Sequence, residues 1–377
     1  MTERLNIPYT VTVLIALLCV WVGNRIAVTD ASLFHDASLD TVRATVMDVI
    51  ERTEPYGFDD FAYFHGYILV FRAEITQGQK RGRIVTASQA LGDFSLAAVR
   101  EVQPGDRVLL FYSEGINEWF FDGHLRTNRL LLLASLFTLC VLLFGGKKGF
   151  NTLLSLAFTC AAVFGVFIPA ILSGANIYIM ALLVCAYVIT MTLLLVVGFN
   201  KKALAAAVGC AGGLAVTGII ALIMDGALYL TGVVDEHSRF LTALPGGVSI
   251  NLRAIIFAGI IIGAMGAIMD VALSIASSLW EIKEKARFIT FETLYRSGIS
   301  IGRDIMGSMA NTLVLAYIGT SLSVILLITV FSGSLFSLLN SEMIVVEILK
   351  ALSGILGILF AMPLTAFFCA LLFVQKK

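Results

Sequence analysis

Long apolar runs dominate this chain and restrict the folds that it can adopt. An apolar stretch of about 20 residues crosses a bilayer as an α-helix, because lipid leaves an open backbone without hydrogen-bond partners. Eight such runs predict spans at 8–28, 128–145, 152–172, 177–198, 203–225, 253–277, 305–330 and 350–373. Only 14% of the residues are charged, against roughly a quarter in soluble domains. We expect a mainly α-helical polytopic membrane protein with about eight transmembrane helices.

The first span has two interpretations. Its apolar stretch from Tyr9 to Gly23 has the length of a signal-peptide core. Asn24 and Arg25 interrupt the small-residue pattern that a cleavage site requires. We therefore expect residues 1–29 to be an uncleaved N-terminal anchor helix.

Basic residues fall on alternate connections between the spans and predict the orientation. One set of connections and both termini carry Arg4, Lys147, Lys148, Lys201, Lys202, Lys283, Lys285, Arg287, Arg296, Arg303, Lys376 and Lys377. The opposite short connections carry Arg239 and Arg253. Basic residues favour the cytoplasmic side, so both termini are expected in the cytoplasm. The seven-helix membrane domain is then 128–377, and 278–303 is a cytoplasmic connection.

Residues 30–127 are expected to form one exported β domain between helices 1 and 2. Alternating apolar and polar residues predict short strands, the pattern of strands that are buried on one face. These runs are 44–50, 67–75, 82–86, 107–112 and 118–121. About five strands in so short a segment predict a small β-barrel of the OB or SH3 type.

The hairpin formed by residues 259–322 carries polar residues within its apolar spans. Positions i, i+4, i+7 and i+8 share one face of a helix. One stripe is Asp270, Ser274, Ser277 and Ser278, and the other is Asp304, Ser308, Asn311 and Thr312. Ionisable groups are costly in a bilayer and mark functional sites there. These residues are our candidate transport site for a proton, a cation or another small solute.

A simpler interpretation of both stripes is structural. Polar side chains of neighbouring helices hydrogen-bond each other, at about 0.6 kcal/mol per contact and up to about 2 kcal/mol. Asp304 lies in the first turn of its predicted helix, where a carboxylate interacts favourably with the helix dipole without any further role.

Small residues recur every four positions on two spans. Ala205, Gly209 and Gly213 form one stripe, and Gly259, Gly263 and Ala267 form the other. Such stripes let helix backbones approach closely. We expect these positions to be helix-packing contacts; the alternative is that they permit sliding or bending during transport.

Motifs for catalysis and cofactor binding are absent from the sequence. It has no HExxH, no Gly-x-Ser-x-Gly, no P-loop and no dinucleotide fingerprint. The histidines, predicted outside, show no metal-ligand spacing; they are His35, His65, His124 and His237. The six cysteines lie in predicted spans and suggest no disulfide framework. We expect no enzyme activity, no metal or cofactor and no nucleic-acid partner.

Three segments of the hairpin, 270–285, 296–312 and 315–321, match a known family. In these residues the chain resembles the YibE/F family of bacterial multi-pass membrane proteins. The similarity covers roughly 125–375 and extends less distinctively to the β domain. It implies a bacterial cell (inner) membrane protein of this architecture, and it draws attention to the hairpin without implying a reaction.

Three functions are compatible with these features. The first is a secondary transporter or permease, with Asp270 taking up a proton or cation and Ser274, Ser308 and Asn311 lining its path. The second is a non-catalytic assembly protein that binds an envelope partner through the β domain. The third is a membrane enzyme in which Asp270 and Asp304 face each other around a reacting water.

Overall fold

The structure is a computed structural model that describes residues 7–27, 41–53, 66–78, 80–92, 100–113, 115–242, 250–286, 288–331 and 334–374. The predicted positions Arg4, His35, His65, Arg287, Lys376 and Lys377 lie outside these ranges. The chain divides into two compact units. One is Phe34–Cys140, and the other combines Met1–Leu33 with Val141–Lys377.

The first unit, called the β unit below, is built around five strands. They are β1 (Val42–Thr53), β2 (Gly66–Ile75), β3 (Ile84–Gly92), β4 (Arg107–Ser113) and β5 (Glu118–His124). β1 pairs antiparallel with both β2 and β4, and β5 pairs antiparallel with β4 and parallel with β3. With the antiparallel β2–β3 pair, the order β1-β2-β3-β5-β4 closes into a barrel.

The barrel interior follows the alternation of the strands. Leu69, Phe71, Ala73 and Ile75 are all fully buried on β2, while the residues between them point outward. Gln89 is a buried polar residue of this unit, 1% exposed. Its Nε2 donates a hydrogen bond to the Arg100 carbonyl, and its Oε1 accepts one from the Val102 N–H, both at 3.0 Å. These bonds fix the segment that enters β4.

Helices make up most of the remaining chain. They are α1 (Ile7–Ala27), α2 (Thr127–Ala162), α3 (Ile168–Leu172), α4 (Ile177–Val196), α5 (Lys201–Ala227), α6 (Glu236–Thr242), α7 (Leu252–Lys285), α8 (Phe291–Thr320), α9 (Leu322–Phe331), α10 (Leu335–Leu339) and α11 (Glu342–Phe373). A π-helical turn at Val163–Phe167 joins α2 to α3. Three spans, α4, α5 and α7, have an asparagine at the N-cap position. The side chains of Asn176, Asn200 and Asn251 each accept a hydrogen bond from the backbone N–H three residues further along the chain.

The span count agrees roughly with the prediction. Among the described residues, six helices are long and apolar enough to cross a membrane, or seven if the bent pair α8 and α9 is one span. One of the six, Thr127–Leu172, has 46 residues and covers two predicted spans. It is interrupted at Gly146, whose φ of 52° is not helical. A Cβ on Gly149 would lie 2.2 Å from the Val141 carbonyl oxygen, so the chain folds back sharply here.

The core of the helical unit is formed by α5, α7 and α11. Ile261, Ala264, Ile268, Val271 and Ile275 are all fully buried along α7. The segment predicted as a long connection at 278–303 is mostly helix, because α7 continues to Lys285 and α8 begins at Phe291.

Candidate functional site

The polar stripe of α7 lies at the surface of the helical unit. Asp270 is exposed, while Ser274, Ser277 and Ser278 are partly buried. On the opposite side of the same helix, Ile268 and Ala272 are fully buried. The stripe therefore follows one edge of a helix whose other side forms the core.

The polar stripe of α8 is exposed as well. Asp304, Ser308, Asn311 and Thr312 all face outward, and the opposite face of the helix packs inward. Two of these residues satisfy their hydroxyl groups within the helix. Ser308 Oγ donates to the Ile305 carbonyl at 2.9 Å, and Thr312 Oγ1 donates to the Ser308 carbonyl at 2.9 Å. Asp304 and Asn311 have no comparable bond in the described chain.

Two close contacts fix the register between α7 and α8. Leu279 Cδ1 lies 2.9 Å from the position that a Cβ on Gly298 would occupy. Ile275 Cδ1 lies 3.2 Å from the corresponding position on Gly302. A step of four residues back along α7, from Leu279 to Ile275, corresponds to a step of four residues forward along α8, from Gly298 to Gly302. The two helices therefore run antiparallel.

This register brings the two polar stripes to the same levels of the bundle. Asp270 is level with Gly307 and Ser308, and Ser274 is level with Asp304. The predicted acid pair, Asp270 and Asp304, is therefore offset by about one helical turn, or about 5.4 Å along the axis. Within the described residues, no hydrogen bond joins the α7 stripe to the α8 stripe. The structure thus places the stripes side by side without bonding them together.

Open space surrounds this polar surface. A Cβ added to Gly266 or Gly307 would meet no atom within 4 Å. The carboxylate of Asp270 has no hydrogen bond or ion pair in the part of the chain that is described. A carboxylate facing acyl chains is costly by a few kcal/mol or more. In a membrane, this surface therefore requires contact with water or with polar protein groups.

The predicted packing glycines divide into two groups. On α5, a Cβ on Gly209 would lie 1.8 Å from Thr365 Oγ1, and one on Gly213 would lie 2.6 Å from the Gly357 carbonyl oxygen. Both positions therefore lie in direct contact with α11. On α7, Gly263 lies against the hydroxyl of Tyr317, whereas Gly259 faces open space.

Sequence reasoning missed the residues of α11 that complete this contact. Gly354, Gly357, Ala361 and Thr365 recur every three or four residues, which is the same small-residue signal noted on α5. All four residues lie within the predicted span 350–373, where this signal could have been found.

A break in the span after the hairpin was also missed. α8 and α9 meet at Ser321 with a bend of 61°. Ser321 is 8% exposed. One turn earlier, the buried hydroxyl of Tyr317 has no hydrogen-bond partner within the described structure. Gly319, Thr320 and Ser321 are weak helix formers and are the only local signal of the break.

Ion pairs also lie near the ends of spans. Lys350 Nζ and Glu347 Oε1 are 2.6 Å apart, in the i, i+3 pairing that the sequence allows. Arg253 and Asp225 approach to 4.0 Å. No group of three or more histidine, cysteine or acidic side chains that could hold a metal ion occurs among the described residues.

Comparison with known proteins identifies the family of the helical unit. The family described as YibE/F-like protein matches residues 133–375, which is more than half of the chain. The chain belongs to the YibE/F-like family. The match includes α7, α8 and α11 and therefore the whole candidate site. The comparisons with curated proteins and with solved structures found no match.

Proposed function

We propose that this YibE/F-like protein is a secondary transporter of a small solute or ion, with its polar pathway along α7 and α8. The unpaired carboxylate of Asp270 carries the proposal. It lies within a membrane span, level with Ser308, and has no partner in the described chain. Intramembrane acids of this kind serve ion and proton pathways in transporters.

Each polar residue has a place in this mechanism. Asp270 takes up the proton or cation, and Ser274 with Ser308 and Asn311 supplies neutral oxygen and amide groups along the same face. Asp304 lies one turn further towards the start of α8, at the mouth of the pathway. No nucleotide is required for such coupled movement.

The bend between α8 and α9 lies about 20 Å along the helix from Ser308 and gives secondary support to the same proposal. Discontinuous helices are common at transporter binding sites, because their free backbone groups contact the transported species. One of the two helices that carry a polar stripe is interrupted, since α8 ends at Thr320 and α9 begins at Leu322.

The principal competing function is an assembly protein that acts through its β domain. The strand order β1-β2-β3-β5-β4, with β3 parallel to β5, favours the OB type over the SH3 type. A barrel of this type is suited to binding a partner, but the fold alone does not determine that role. We place the protein in the bacterial inner membrane, with both termini in the cytoplasm and the β unit outside.

Cysteine accessibility tests whether water reaches the polar surface. In a variant free of native cysteines, we expect D270C, S274C, S308C and N311C to react with a charged, membrane-impermeant thiol reagent. L183C and L222C are matched controls, because these leucines are 58% and 51% exposed on apolar faces and are expected to contact lipid. Protection of all four polar positions would overturn the proposed pathway.

The substitution Asp270→Asn tests the proton-carrier role. It keeps the shape of the side chain and removes its charge. We expect the pH dependence of activity in cells to disappear in this variant, while the protein level remains unchanged. Full activity and an unaltered pH profile in D270N, combined with loss of activity on deletion of 30–127, would favour the assembly function instead.

A further inference from the structure

A strongly basic cavity lies in the β unit, apart from the hairpin. It measures about 710 Å³ and lies between the segment that enters β4, the end of β5 and the first turns of α2. Its basic lining consists of Arg100, Arg107, Arg126, Arg129 and His124. Among the described residues, Asp106 is the one acidic side chain in the lining.

Two hydrogen bonds hold the segment that enters β4 and the start of β4 against the end of β5. His124 Nε2 lies 3.0 Å from the Arg100 carbonyl oxygen. The Leu125 N–H donates to the Arg107 carbonyl at 2.8 Å, which extends the pairing of β4 with β5. The arginines are therefore brought together by the fold of the barrel.

The cavity arginines lack the acidic partners that Arg52 and Arg72 of the β unit have. Arg52 bonds Glu101 at 2.5 Å. Arg72 bonds Asp48 and lowers the pKa of that carboxyl below its usual value. By contrast, the guanidinium groups of Arg107, Arg126 and Arg129 have neither a hydrogen bond nor an ion pair within the described chain.

The remaining charged groups of the cavity leave this positive charge uncompensated. Arg100 donates to the Gln103 amide oxygen at 3.1 Å, a neutral partner. Asp106 accepts the Gln103 N–H at 3.0 Å and lies 4.0 Å from His124 Nδ1. An anion is therefore the ligand that the cavity favours, and guanidinium groups suit phosphate because they bind two of its oxygens at once.

One wall of the same cavity is apolar. Leu130 and Leu133 line it and are 62% and 61% exposed. Both lie on the first turns of α2, where the membrane-spanning segment Thr127–Leu172 begins. An anionic group next to a hydrocarbon chain would match both walls of this cavity.

We propose that the cavity binds the headgroup of an anionic phospholipid, with the arginines on its phosphate and the two leucines against its acyl chain. Arg126 and Arg129 lie at the start of a membrane span, which is the level of the headgroups in a bilayer. Free phosphate could bind the same arginines, but it has no acyl chain to contact Leu130 and Leu133.

Lipid titration of the full-length chain in detergent tests the proposal. Bound phosphatidylglycerol is counted by native mass spectrometry, with phosphatidylcholine as the neutral comparison. We expect R126Q/R129Q to weaken phosphatidylglycerol binding by about tenfold or more, a loss of about 1.4 kcal/mol or more, because both substitutions remove a guanidinium group that faces the phosphate. R126K/R129K keeps the charge and is expected to restore part of the affinity.

The matched control is R81Q/R83Q, which removes the same charge from exposed positions beside β3 that do not line the cavity. Its affinity should remain within about twofold of the unsubstituted chain, a change of less than about 0.5 kcal/mol. Equal losses in the two double variants would show general charge attraction and overturn the proposal, as would unchanged binding in R126Q/R129Q. Excess inorganic phosphate that displaces the lipid completely would assign the site to free phosphate instead.

Discussion

Gly209 shows how a single missing side chain sets the contact between α5 and α11. A Cβ at this position would lie 1.8 Å from Thr365 Oγ1 and 3.0 Å from its Cα. Because the Cα belongs to the backbone of α11, rotation of the Thr365 side chain does not relieve the whole clash. The two helices would have to separate.

The substitution Gly209→Ala should therefore destabilise the protein. We expect a loss of about 1–3 kcal/mol from overpacking, even though alanine favours helix by about 1 kcal/mol over glycine. Thermal unfolding in detergent measures the effect.

Gly259→Ala is the matched control, since a Cβ on Gly259 meets nothing within 4 Å. Its stability should stay the same or rise slightly. Equal destabilisation by both substitutions would contradict the assignment of the α5–α11 contact to Gly209.

The identity of the candidate residues could be predicted from the sequence, but their exposure could not. Asp270 and Asn311 stand out as polar residues within apolar runs. Their neighbours depend on which face of α8 packs inward, and Gly298 and Gly302 decide this by admitting Leu279, Ile275 and residues of α11. Helical periodicity predicts which residues share a face of the helix, but it does not predict which other helix packs against that face.

At the scale of elements, one carboxylate joins the start of α11 to the loop that follows α5. Glu342 accepts hydrogen bonds from the Thr231 N–H, the Thr231 hydroxyl and the Gly232 N–H, at 2.7, 2.8 and 2.7 Å. Gly232 has a φ of +90°, and a Cβ there would lie 2.4 Å from Leu252 Cβ. The loop thus requires both this acid and this glycine.

Glu342→Gln should destabilise the protein by about 1.5–3 kcal/mol, the usual contribution of hydrogen bonds to a charged group. Glu281→Gln is the control, because Glu281 and Lys285 form a pair that is 71% and 80% exposed. Exposed pairs of this kind contribute about 0–1 kcal/mol. Unfolding midpoints of the two variants in the same detergent provide the comparison, and equal midpoints would argue against a specific role for Glu342.

The elements themselves differ in how well the sequence predicts them. Four of the five strand positions followed from alternation, because one face of each strand is buried in the barrel. The third strand was predicted at 82–86, whereas β3 is Ile84–Gly92. The interruption at Ser321 did not follow from hydropathy, since residues on both sides of it are apolar. Helix breaks of this kind depend on tertiary packing, as around Tyr317 and Gly263.

For the whole molecule, the number of membrane crossings depends on Gly146. Hydropathy alone separates 128–145 from 152–172 by only a few residues that include Lys147 and Lys148. The positive φ of Gly146 supplies the reversal that such a short connection requires. The sequence shows a glycine at position 146, but it does not show that this glycine adopts a positive φ.

The orientation of the whole chain is tested by fused reporters. A cytoplasm-active fluorescent protein after Phe373 should fluoresce, and a periplasm-active phosphatase inserted at Gly78, in the turn after β2, should be active. The expectation rests on the bias of basic residues towards the cytoplasm. Arg126 and Arg129 run against this bias, so an inactive phosphatase with a dark fluorescent reporter would reverse the topology.

The contact between α5 and α11 also limits how the length of these helices can change. Each residue advances an α-helix by about 100°, because about 3.6 residues make one turn. A single insertion ahead of Gly209 would rotate Gly209 and Gly213 away from α11 and bring the bulkier Val208 towards Thr365 in the place of Gly209. Homologous chains should therefore keep the spacing between the small residues of these two helices free of insertions and deletions.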